Sequence, residues 1–242
     1  MIKIEIAGNT DIGLVRHKNE DTFVIDTEEQ FCLVADGMGG AAAGELASRF
    51  FGEATAEVFT GMVNRSEEII VQKVQAAFKE ANEKILRHIE EKPEHKGMGC
   101  TAELLALADD GFVIGHMGDS RTYRVRHRRM RQLTKDHSLV QEQVDQGIIS
   151  REEAKVHTMR NIILRAVGVK EDLALDILRG QVEDGDLFLL CSDGLSDMVD
   201  EIQLETILVE DISLERKANK LIDAAKKAGG KDNITAVLLK IG

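Results

Sequence analysis

Proline is nearly absent from this chain, cysteine is too scarce for a framework, and no apolar run approaches the length of a membrane span. The single proline, Pro93, sits in the polar stretch from Glu90 to Gly97. With no Pro/Ser-rich linker, low-complexity block or convincing internal repeat, the 242 residues read as one domain, residues 1–242. Cys32, Cys100 and Cys191 are odd in number, far apart and set in apolar or glycine-rich sequence. That excludes a disulfide framework and a thiolate zinc site and fits a reducing cytoplasm. The opening Ile2-Lys3-Ile4-Glu5-Ile6 alternates like a strand and lacks the basic-then-apolar layout of a signal peptide, so a cytoplasmic protein without membrane association is expected.

Positive charge is also in deficit, with a net charge of -12. A chain this acidic repels the phosphate backbone of DNA or RNA, which excludes nucleic acid as a partner. One segment runs the other way. Arg121-Thr122-Tyr123-Arg124-Val125-Arg126-His127-Arg128-Arg129-Met130-Arg131 is locally basic; it either docks an acidic partner or a phosphorylated peptide, or forms a hairpin turning near His127-Arg128 with solvated arginines.

What the chain has instead is aspartate at the ends of apolar runs. Phe31 to Ala35 leads into Asp36-Gly37, Leu187 to Ser192 into Asp193-Gly194, and Val113-Ile114 towards Gly118-Asp119-Ser120, while Asp232-Asn233 precedes the apolar run Ile234 to Ile241. Short apolar runs bounded by glycine read as buried strands. Carboxylates at several strand ends converge on one rim, where they repel unless cations lie between them. Hard oxygen donors without clustered His and Cys favour Mg2+ or Mn2+. Two such ions held roughly 3.5–4 Å apart share a water or hydroxide and lower its pKa. Phosphorus is the matching target, since phosphoryl transfer needs positioning and charge neutralisation. Arg16 is the candidate phosphate clamp because its guanidinium matches two phosphate oxygens.

Helices are expected from Gly44 to about Val63, from Ser66 to about Glu91 and from Leu214 to Ala228, stopping at Gly229-Gly230. Ser138 with Gln141 and Ser150 with Glu153 have capping-box spacing and mark two short helices in a polar surface lobe. Helices grouped in two stretches, not alternating with strands, point to an α+β fold over largely antiparallel sheets.

The motifs Arg16 to Asp21, Val34-Ala35-Asp36-Gly37-Met38-Gly39-Gly40, Gly97-Met98-Gly99-Cys100-Thr101, Gly118-Asp119-Ser120-Arg121, Leu133 to Ser138, Cys191-Ser192-Asp193-Gly194 and Gly230 to Thr235 together resemble the bacterial type 2C (PPM) metal-dependent serine/threonine protein phosphatases. The resemblance runs from about Gly13 to Val237. It implies a four-layer αββα sandwich, two antiparallel β-sheets flanked by helices, and hydrolysis of phosphoserine and phosphothreonine without a covalent enzyme intermediate. By that resemblance Asp36 bridges two Mn2+ or Mg2+ ions, Asp193 and Asp232 complete one, and the Gly37 carbonyl helps the other. Asp21 and Glu20 act partly through water, Asp119 joins Asp193 at a third metal, and Arg16 holds the phosphate, so that Arg16, Asp36 and Asp193 form the catalytic set. Residues 137–168 resemble the family's flap. The partners implied are phosphorylated proteins and an opposing serine/threonine kinase, and the chain is expected to be a monomer. Many relatives carry a histidine where Met38 or Ala41 stands, which leaves the general acid open.

Rival chemistries fit less well. A cysteine phosphatase needs an arginine shortly after Cys191, whereas Leu195-Ser196-Asp197-Met198 follow. There is no G-x-S-x-G elbow, and Gly39 to Glu45 lacks the Gly-Lys-Ser/Thr ending of a nucleotide loop. Two alternatives stay open: a phosphatase-like module that captures a phosphoprotein without turnover, and a hydrolase for an anti-sigma-factor antagonist or a small phosphoester.

Overall fold

The protein is described here by a computed structural model covering residues 2–39 and 43–242. One sheet holds β1 (Ile4–Asp11), β7 (Arg121–Arg126), β8 (Arg129–Gln132), β10 (Leu187–Cys191) and β11 (Ile234–Ile241), in the order β1-β11-β10-β7-β8. The other holds β2 (Asp21–Asp26), β3 (Phe31–Met38), β5 (Ala102–Leu107), β6 (Gly111–Met117) and β9 (Asp176–Gln181), in the order β2-β3-β5-β6-β9, and the two-residue β4 (Gly99–Cys100) pairs with β3. Every pairing is antiparallel.

The continuous apolar runs follow from burial of both faces of each central strand. Along β3, Cys32 and Val34 point between the sheets, where they meet Leu105, Ile114, Phe188, Leu190 and Val237. Phe31, Leu33 and Ala35 point the other way, onto α1 (Gly44–Phe59) and α2 (Glu67–Glu91). The second sheet repeats this logic, with Tyr123, Leu189 and Leu238 packed against α6 (Glu201–Leu208) and α7 (Leu214–Lys227). The result is the four-layer αββα sandwich.

The expected helices form with small changes at their ends. The first stops at Phe59, short of Val63, ahead of a left-handed Gly61. α3 (Leu139–Asp145) and α4 (Arg151–Val156) start where the serine caps place them: Ser138 accepts from the Gln141 amide, and Ser150 and Glu153 close a reciprocal capping box. One boundary differs in kind. The strand before Asp193 ends at Cys191, and Asp193 opens a single turn, α5 (Asp193–Ser196). Because β2 begins, β3, β6 and β10 end, and β11 begins at the same edge, the aspartates of five strands share one rim.

Candidate metal centre at the sandwich rim

Asp21 and Asp36 face each other directly across the β2–β3 ladder. Asp21 Oδ2 accepts from Ser192 Oγ at 2.8 Å and from Thr235 Oγ1 at 2.6 Å, so residues of the opposite sheet hold its carboxylate in place. Backbone bonds fix Asp36: its amide donates to Thr101 Oγ1 at 3.2 Å and its carbonyl accepts from the Thr101 amide at 2.9 Å. The Gly37 amide donates to the Glu20 carbonyl at 3.1 Å. A Cβ at Gly37 would lie 2.2 Å from the Gly44 carbonyl oxygen and 2.6 Å from that of Glu20, so only glycine lets the strand and the start of α1 meet.

Asp193 and Asp232 arrive on neighbouring backbone segments. A Cβ at Gly194 would stand 1.9 Å from the Asn233 carbonyl oxygen. Asn233 is the organiser that sequence reasoning missed: its Oδ1 accepts from the Glu20 amide at 2.8 Å, and its Nδ2 donates to the carbonyls of Ile12 at 3.0 Å and Lys18 at 2.9 Å. Its side chain thus ties the Arg16 loop to the Asp232 segment. The only available signal was its position between Asp232 and a strand. Arg16 Nη2 donates to Asp232 Oδ2 at 2.7 Å, so the predicted phosphate clamp and one predicted metal ligand contact each other.

Burial and mutual repulsion dominate the electrostatics. Asp36 is pushed well above the usual carboxylate range by burial, then by Asp21, Asp193, Asp119 and Asp232. Asp193 is raised similarly, by burial and then by Asp119, Asp197, Asp232 and Asp21. Burial lifts Asp21 to about 6 against the hydrogen bonds from Thr235 and Ser192, and Asp119 to about 7 with help from Asp136 and Asp197. Glu20, less buried, is raised by burial and by Glu45.

These residues fit divalent cations. All are hard oxygen donors, and among the described residues Asp21 Oδ1 and Asp193 Oδ1 are buried without a hydrogen-bond partner, a cost of about 1–3 kcal/mol per orphaned group. Among the described residues, no three such side chains already form a ready ligand set around one point. The carboxylates are gathered without being closed into a shell. Ala41 lies outside the described residues; Met38 ends β3.

A cavity of about 190 Å³ opens beside this rim, lined by Arg16, Arg160, Asn161, Asp193, Asp197 and Lys231, among others. Arg160 reaches it from the polar lobe and pairs with Asp197 at 3.4 Å. Asp197 and Lys231 were not singled out from sequence. His137 does structural work here: its amide donates to the Gly118 carbonyl at 2.7 Å, and its Nδ1 accepts from the Gly118 amide, 3.2 Å away.

The raised carboxylates predict a pH effect in metal-free protein. A folded Asp119 that keeps its proton to about pH 7, when the unfolded one loses it near pH 4, stabilises the fold at low pH and loses that contribution as pH rises. Asp119→Asn is therefore expected to unfold at the same temperature as wild type near pH 4 and several degrees above it at pH 7.5, in EDTA. A constant difference across that range, read by differential scanning fluorimetry, refutes the effect.

Comparison with known proteins agrees with this geometry. The family model "Protein phosphatase 2C" matches residues 16–238. The chain is 40% identical over 238 residues to serine/threonine phosphatase stp of Listeria innocua, covering 96% of this chain and 93% of that one. Among solved structures, the Mycobacterium tuberculosis serine/threonine phosphatase PstP superposes with a TM-score of 0.92 at 35% identity, covering 98% of each chain. The PstP catalytic domain in complex with two manganese ions superposes at 0.90 with 34% identity, again over 98% of each chain.

Proposed function

The chain belongs to the protein phosphatase 2C family, and from that premise we propose that it hydrolyses phosphoserine and phosphothreonine in proteins, opposing a serine/threonine kinase. The observation that carries this reading is the pair of buried carboxylate oxygens on Asp21 and Asp193 that have no hydrogen-bond partner among the described residues, set in a rim of mutually repelling aspartates with an arginine at its mouth. Asp36, the Gly37 carbonyl, Asp193 and Asp232 would hold two Mn2+ or Mg2+ ions, with Asp119 serving a third and Glu20 and Asp21 acting through water. The PstP catalytic domain in complex with two manganese ions supports a centre of two divalent cations. Bound divalent cations supply charge neutralisation on the phosphoryl oxygens and lower the pKa of water.

The chain's own residues do the rest. Arg16, half-exposed at the cavity, can swing its guanidinium from Asp232 to two phosphate oxygens and orient the phosphoryl group. Ser192 and Thr235 hold Asp21, and Asn233 holds the Glu20 backbone, so the carboxylate rim is set before substrate arrives. Burial pushes the Cys191 thiol far above its ordinary pKa; a buried neutral thiol is no nucleophile, which supports hydrolysis without a covalent intermediate. We further read residues 1–242 as one catalytic unit acting as a cytoplasmic monomer, with 137–168 as a flap that brings Arg160 and Asn161 to the cavity. Among the described residues no helix is long and apolar enough to cross a membrane.

The direct test is Mn2+-dependent phosphate release from 4-nitrophenyl phosphate, followed by phosphoserine, phosphothreonine and phosphotyrosine peptides of one sequence. Turnover of the first two peptides over the third is expected; binding without turnover would leave a capture module instead. Arg16→Ala is expected to raise KM for the phosphopeptides about 10- to 100-fold, the value of one charge-assisted contact of about 1.5–3 kcal/mol. Unchanged KM removes Arg16 from substrate binding.

A further inference from the structure

The basic segment forms a hairpin at the outer edge of its sheet, its turn made by His127 and Arg128, both in the left-handed region. Register places Arg124 directly opposite Arg131, and Arg126 opposite Arg129. Strand alternation puts all four on one face, the face that Thr122 presents towards Glu103 of the opposite sheet. The pair nearer the turn is neutralised. Arg126 donates to Asp186 at 2.7 and 2.6 Å and to Glu183 at 2.6 Å, while Arg129 stands 3.9 Å from Glu205.

The pair nearer the aspartate rim is not. Among the described residues, no carboxylate forms an ion pair with Arg124 or Arg131, and neither donates a side-chain hydrogen bond, although every other arginine from 121 to 131 except Arg128 has an acidic neighbour. Like charges directly opposite on a ladder destabilise it, and here they persist in a chain whose net charge is -12. Guanidinium groups so placed match carboxylates in forked geometry.

We propose that Arg124 and Arg131 dock acidic side chains flanking the phosphorylated residue of a protein substrate. This inference rests on the phosphatase reading. β7 begins at Arg121, immediately after Gly118-Asp119-Ser120, so Arg124 lies three residues, roughly 10 Å, along the strand from the rim. An extended peptide covers that distance in about three to five residues. Docking is by side chains and not by strand addition, because the Met130 amide on the outer edge already donates to Glu205 Oε2 at 2.7 Å and the ladder is closed there.

The test compares two phosphothreonine peptides, one with glutamates and one with alanines three to five positions from the phosphoresidue on both sides, using kcat/KM and 4-nitrophenyl phosphate as a control. Wild type is expected to favour the acidic peptide about fivefold at low salt, with the preference fading at 0.5 M NaCl as the charges are screened. Arg124→Gln/Arg131→Gln is expected to abolish the preference and leave aryl phosphate turnover intact. No preference in wild type, or a preference that survives in the double variant, overturns the proposal. A wild type that fails on aryl phosphate overturns the phosphatase reading itself.

Discussion

Asp36→Asn is expected to reduce phosphate release by about a thousandfold or more and, at the same time, to stabilise the metal-free protein. Both effects come from one carboxylate. Asp36 is partly buried at the rim, and its pKa is driven up by burial and by four neighbouring aspartates, so its negative charge is unfavourable unless cations compensate it. An amide of the same shape removes the repulsion and also removes the proposed bridging ligand. Several kcal/mol of transition-state stabilisation depend on such cations, and about 4 kcal/mol corresponds to a factor near a thousand in rate. The stability arm separates this from simple misfolding. Wild type at a cation concentration about one hundred times Kd gains about 2.7 kcal/mol, or roughly 5–10 °C in Tm for a domain of this size. The variant should begin with a higher Tm in EDTA and gain little on adding Mn2+. If Asp36→Asn retains wild-type turnover, or if Mn2+ stabilises it as much as wild type, the cluster is not the metal centre.

Much of this site could be read from sequence because its logic is local in the chain. An apolar run followed by Asp-Gly requires a buried strand, a sharp exit and a carboxylate at the end, and Asp36-Gly37 delivers all three without knowledge of the fold. The helices were equally legible from caps and periodicity. Ser150 and Glu153 sit three residues apart, so their capping box needs no tertiary information. What sequence could not supply were contacts between segments far apart in the chain, the nearest of them separated by 171 residues. Asn233 reads as an ordinary turn residue until Ile12, Lys18 and Glu20 are placed around it. Ser192 and Thr235 look like neutral strand-end residues until both hydroxyls meet on Asp21. The Arg16–Asp232 contact was invisible for the same reason: each residue was assigned a role alone, and only the fold shows that they compete.

Glu103→Leu is expected to cause the largest single loss of folding stability, at a pair the metal chemistry does not use. Glu103 on β5 and His116 on β6 are directly opposite each other and fully buried. His116 Nδ1 bonds Glu103, and its Nε2 lies 2.8 Å from the Lys135 carbonyl oxygen; only a doubly protonated ring donates at both ends. Burial disfavours that charge, yet the Glu103 carboxylate outweighs it and holds the His116 pKa at about 8. The second Glu103 oxygen receives the Thr122 hydroxyl from the opposite sheet, so removing the carboxylate strands an imidazolium and a hydroxyl in the core. Breaking a buried pair from one side costs about 3–5 kcal/mol, or roughly 6–20 °C in Tm. Replacing both partners is far milder, because an apolar pair of similar volume needs no compensation. Glu103→Leu/His116→Leu should therefore recover most of the loss, and a double-mutant cycle in thermal unfolding measures the coupling directly. The sign with pH follows from a raised histidine: its contribution is complete below pH 6.5 and is lost as pH climbs through about 8. The wild-type advantage over the double variant should accordingly shrink between pH 7 and 9. Additive single effects, or an advantage that grows over that interval, would show that His116 and Glu103 are not a charged pair.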